Sequence, residues 1–200
     1  MSTIQKKTLR TVQLALLAAI IVVLQQIVIP LPGGLTLSLV LIPIVVGAVL
    51  FGAKAGALLG GVFGLVVTIL VMTGRAGDLS TMMWMHNPLL TALICLLKGV
   101  AAGWVAGLIA GAFNKRPFVG IVLAAAAAPI VNTGIFLAGM LTVFRGVMME
   151  FADKIGMGGT TAIYFAIVVL VGVNFIIEFA TNLILSPTIA TIVKAVRKQR

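Results

Sequence analysis

Acidic residues are nearly missing from this chain: Asp78, Glu150, Asp153 and Glu178 are the whole set. With so few carboxylates and no Walker A, HExxH or GxSxG motif, the chain cannot hydrolyse a nucleotide by itself, and it shows no nucleophile–base pair. One cysteine, Cys95, excludes an intrachain disulfide and a multi-cysteine metal site. His86 has no second histidine with which to hold a metal. Charge of either sign is scarce, 9% of 200 residues against roughly 25% in soluble domains. What the chain has instead is apolar surface, 62% of its residues, so it reads as an integral membrane protein with one transmembrane domain over 1–200. A net charge of +10 would suggest nucleic acid in a soluble protein. Here the basic residues sit in short gaps and at the termini, where charge asymmetry across a bilayer explains them and no nucleic-acid partner is needed.

A span needs about 20 mostly apolar residues. Gaps at Gly, Pro and charge clusters predict six helices, at about 10–29, 36–52, 54–73, 89–113, 118–143 and 162–187, in an all-α bundle. The second is short and interrupted by Pro43, which leaves a re-entrant segment as an alternative. Strands of a membrane barrel would alternate in polarity, and these segments do not. Lys6, Lys7 and Arg10 ahead of an apolar run resemble a signal peptide, but no small-x-small cleavage site follows, so the run is expected to be an uncleaved first span. With the N-terminus inside, ten Lys and Arg fall on one face and only Arg75, Arg145 and Lys154 on the other. That asymmetry places both termini in the cytoplasm.

Two predicted spans carry glycine ridges at spacing four, Gly56–Gly60–Gly64 and Gly99–Gly103–Gly107–Gly111. Such ridges let membrane helices approach closely where apolar burial cannot drive association. The longer gaps, 74–88 and 145–161, fall outside and hold Trp84, His86, Asn87 and most of the methionines. Trp84 and its neighbours read either as an interfacial belt or as an adaptable apolar lid over an outward-facing pocket.

Polar residues at membrane depth are few. Lys98 lies ~15 Å down the fourth span at 1.5 Å per residue, Asn132 lies near mid-depth in the fifth, and Asn174, Glu178 and Asn182 share one face of the sixth. Intramembrane ionisable groups face a bundle interior or a wet cavity and pair with one another. Two readings stay open: a Lys98–Glu178 ion pair joining two spans, or a cavity in which Lys98, Asn132 and Asn174 meet an anionic ligand.

The stretch IPLPGGLTLSLVLIPIVVGAVLFGAKAGALLGGVFGLVVTI (29–69), with Ile42-Pro43 ahead of its glycine repeat, resembles the substrate-binding S components of energy-coupling factor (ECF) vitamin transporters. Ala15-x-x-x-Ala19 is similar to the alanine motif that this family carries on its first span. The resemblance implies a high-affinity binder for a vitamin in the cytoplasmic membrane of a prokaryote, with no cofactor. Its partners would be a transmembrane T component, docked through Ala15 and Ala19, and two separate ABC-type ATPases. Family contacts from the last three spans would fall on Lys98, Asn132 and Asn174, with Glu178, Trp84, His86 and Asn87 as further candidates. A buried lysine favours an anionic vitamin, pantothenate before riboflavin- or pyridoxine-type compounds. A self-sufficient secondary transporter or channel, or a membrane assembly subunit, is the competing class. Against the first, the two halves show no internal repeat; against the second, packing alone does not require Lys98.

Overall fold

The computed structural model describes residues 3–27, 29–31, 35–37 and 39–198. The first helix, α1 (Thr3–Gln26), leads through a small antiparallel hairpin of β1 (Ile29–Leu31) and β2 (Leu35–Leu37) to α2 (Leu41–Phe51) and α3 (Ala53–Met72). There follow α4 (Asp78–His86), α5 (Pro88–Ala112), α6 (Pro117–Thr142), α7 (Arg145–Lys154) and a three-residue α8 (Ala162–Tyr164). A π-helical stretch, Phe165–Val171, joins α8 to α9 (Gly172–Ile184), and α10 (Ser186–Lys198) closes the described chain. Pro32, Gly33 and Gly34 of the first loop, part of the stretch that carries the family resemblance, lie outside the described residues.

The all-helical expectation holds for the bulk of the chain, but the helices differ from the six predicted spans. Among the described residues four helices, α1, α3, α5 and α6, are long and apolar enough to cross a bilayer. The predicted second span is only the 11 residues of α2, about 16 Å of helix, well short of a ~30 Å hydrocarbon core. It ends at Gly52, whose φ of +88° is open to glycine and strained for other residues. The predicted sixth span is broken: the two helical pieces on either side of Gly172 meet at 46°. Single π turns occur inside helices mostly at functional sites, and this one carries cavity residues described below. The basic tail forms α10, which buries Ile189 and Val193 and leaves Lys194 and Lys198 exposed.

Two apolar cores hold the bundle. One gathers α2 with parts of α1, α3, α6 and α10 around Ile21, Ile44, Leu59, Ala124 and Ile189. The other brings α4 and α7, read from sequence as loops, against α5, α6 and the π-helical stretch through Met83, Met148, Phe144 and Phe165. Met83 and Met148 are therefore core residues, while Met85 is 80% exposed.

The tightest contact is between α3 and α5, which run antiparallel. Gly56 faces Gly103, Gly60 faces Gly99, and Gly64 faces Cys95. A Cβ on Gly60 would collide with the backbone of Gly99, and one on Gly64 would lie 2.6 Å from the Cys95 carbonyl oxygen. The glycine ridges thus serve internal packing. Gly111 stands apart, with nothing within 4 Å. Adding one methyl at Gly60 overpacks a backbone contact, which costs ~1–3 kcal/mol. Gly60→Ala should lower the melting temperature of the detergent-solubilised protein, and Gly111→Ala should leave it unchanged. Equal melting of the two variants would contradict the seam.

Candidate functional site

The glycine seam fixes where Lys98 goes. Gly99 has no side chain, and a Cβ there would come 3.0 Å from Cδ1 of Phe63, so the missing methyl leaves room for that ring. The Lys98 ammonium sits 5.7 Å from the centre of Phe63 on α3 and 5.4 Å from the centre of Phe136 on α6. Both lie within the ~6 Å range in which an aromatic face attracts a cation, by ~0.5–2 kcal/mol depending on desolvation.

Lys98 opens on a cavity of about 540 Å³, within the usual ~300–1,000 Å³ of small-molecule sites. The last turn of α1 supplies Gln25 and Gln26, and α3 supplies Phe63, Val67 and Leu70. The α3–α4 turn contributes Arg75, and the first turn of α4 contributes Ser80. From α6 come Asn132, Thr133 and Phe136. Leu170 and Val171 end the π-helical stretch at the cavity wall, and Asn174, Phe175 and Glu178 follow from α9. The bend in that element therefore lies directly on the cavity.

Four residues expected from sequence, Lys98, Asn132, Asn174 and Glu178, share this wall. Lys98 and Glu178 face the same space, but among the described residues no ion pair within 4.0 Å joins them. Asn182, the third member of the α9 face, turns away: it is fully buried, and its Nδ2 donates to the Glu178 carbonyl at 2.9 Å.

Trp84, His86 and Asn87 do not line this cavity. Their stretch folds as α4 and the start of α5, so its side chains serve that junction. Asn87 caps α5, its Oδ1 accepting from Leu90 N–H at 3.1 Å. Thr91 ties the two helices by donating to the carbonyls of Met83 and Asn87. His86 is exposed and meets Phe144 edge-on at 6.1 Å. Trp84 is half-buried beside the true anchor of α4, Met83.

Sequence reasoning missed Gln25, Gln26, Arg75, Ser80 and Thr133. The pair LQQI was visible, but it reads as the end of a span, and Arg75 counts there only toward orientation. Gln25 Oε1 and Asn132 Oδ1 are buried without a hydrogen-bond partner. Each such acceptor costs about 1–3 kcal/mol unless something donates to it.

The family model for the ECF transporter substrate-specific component matches residues 9–190. The chain belongs to that family. A comparison with curated proteins finds no match. All the cavity residues named above lie within the matched region. As a substrate-specific component the protein is a membrane-embedded transport subunit for a micronutrient, not an enzyme.

The cap assignment is testable. Asn87→Ala should destabilise the substrate-specific component by roughly 1 kcal/mol in thermal melts while ligand affinity stays the same. Lost affinity with unchanged melting would return Asn87 to the binding site.

Proposed function

We propose that this substrate-specific component captures an anionic, water-soluble micronutrient, pantothenate first among the candidates, from outside the cell. The observation that carries the reading is one cavity lined by Lys98, Asn132 and Asn174, with the lysine ammonium held against aromatic faces and out of ion-pair range of Glu178. An ammonium in a cavity within the bundle attracts a carboxylate more strongly than the same ammonium does in bulk water.

The topology that goes with this reading has six crossings, with α2 and its hairpin as a short second crossing and the bent α8–α9 element as the sixth. Ten basic residues against three then put both termini in the cytoplasm. In that orientation the last turn of α1 and the α3–α4 turn lie at the outer side, and both line the cavity. That supports loading from outside.

Delivery requires partners: a transmembrane T component and two ABC-type ATPases in the cytoplasmic membrane of a prokaryote. Ala15 and Ala19 are both exposed, and only 6% of the apolar stretch of α1 is buried. A helix so little covered by its own bundle leaves a small-residue face on which another membrane helix can pack.

Mass spectrometry of the solitary purified protein should find a retained anionic micronutrient. Finding none, together with no binding of added vitamins, would sink the capture reading. Ala15→Trp should preserve that binding and abolish uptake in cells carrying the complete transporter; lost binding would mean that this face is not for docking.

A further inference from the structure

Gln25 and Asn132 line the cavity from α1 and α6, and the carbonyl oxygen of each is buried and receives no hydrogen bond. Glu178 adds a carboxylate to the same wall, and Lys98 and Arg75 add two cations. Such a wall has unmet demands of two kinds. Two cations against one carboxylate leave the wall an excess of positive charge that favours an anion, and the amide oxygens require donors, because a buried acceptor is satisfied by a partner or is penalised. Val67, Leu70 and Leu170 add aliphatic surface to the same wall, which favours a ligand with an apolar body as well as polar ends.

We infer that the cavity selects a compact anion bearing at least two separate hydroxyl or N–H donors, and that Gln25 is a specificity-determining residue which accepts from one of them. This rests on the capture reading above and narrows it. Asn132 accepts from the second donor, and Lys98 meets the anion. A donor-free aromatic acid leaves both amide oxygens unmet. A neutral polyol leaves the lysine unmet, and a cation is repelled by it. Gln25 suits the role because it lines the cavity from the end of a helix that its own bundle covers little.

The full chain in lipid nanodiscs should be titrated with pantothenate, biotin and riboflavin phosphate, which combine an anion with donors. The second group is nicotinate, pantothenol, pyridoxine and thiamine, each of which lacks one of the two. The tightest binder should come from the first group, and Gln25→Leu should weaken it by roughly tenfold or more, the worth of one well-made hydrogen bond in a closed site. Asn132→Leu should do the same. Melting without ligand should be no lower in Gln25→Leu, which separates lost binding from lost folding. A tightest binder from the second group overturns the proposal and leaves the capture reading standing. Unchanged affinity in both variants overturns it equally. If none of the probes binds, the molecule retained by the solitary protein decides by the same criterion. If nothing is retained either, the capture reading itself falls.

Discussion

Gly60 and Gly99 meet backbone to backbone, and neither position has space for a methyl group. That constraint orders the rest of the molecule. It draws α3 and α5 together along Gly56–Gly103 and Gly64–Cys95 as well, close enough that van der Waals contact and not apolar burial holds them. It also brings Phe63 over the side chain that follows Cys95 by one turn. Lys98 is thus placed by residues that carry no chemistry of their own.

The placement answers how a membrane helix tolerates an ammonium. Removing the charge from water is costly, and pairing with an acid is the common remedy. Here two phenyl faces supply part of the stabilisation, and the acid on the same wall, Glu178, stays out of ion-pair range. A charge stabilised by ring faces keeps its hydrogen-bond donors open to the cavity. A charge locked to a carboxylate would have to break that contact before a ligand could bind.

The polar half of the candidate site was legible in the sequence because polarity at membrane depth is rare. Lys98, Asn132, Asn174 and Glu178 stand out against apolar neighbours, and a spacing of four puts the last two on one face. Gln25 and Arg75 were not legible as site residues, since polar groups at span ends are ordinary. The glycine ridges were readable because small-residue spacing has one common use in membranes. The helicity of α4 and α7 was hidden by their amphipathic composition, which resembles loop sequence until Met83 and Met148 are seen to be buried. The shortness of α2 and the break at the π-helical stretch were hidden for the opposite reason. Hydropathy registers an apolar run whether it spans a bilayer, stops at Gly52 or bends at Gly172.

One helix joins the cavity to the exposed alanine face. α1 ends at the cavity with Gln25, and it exposes Ala15 and Ala19 two to three turns earlier. Capture of an anion nevertheless depends first on the lysine, and the equilibrium affinity of the retained micronutrient for wild-type protein and Lys98→Met tests it most directly. The expected result is a loss of more than about tenfold in a variant that still inserts and melts normally. Unchanged affinity in that variant would contradict an anion held by Lys98.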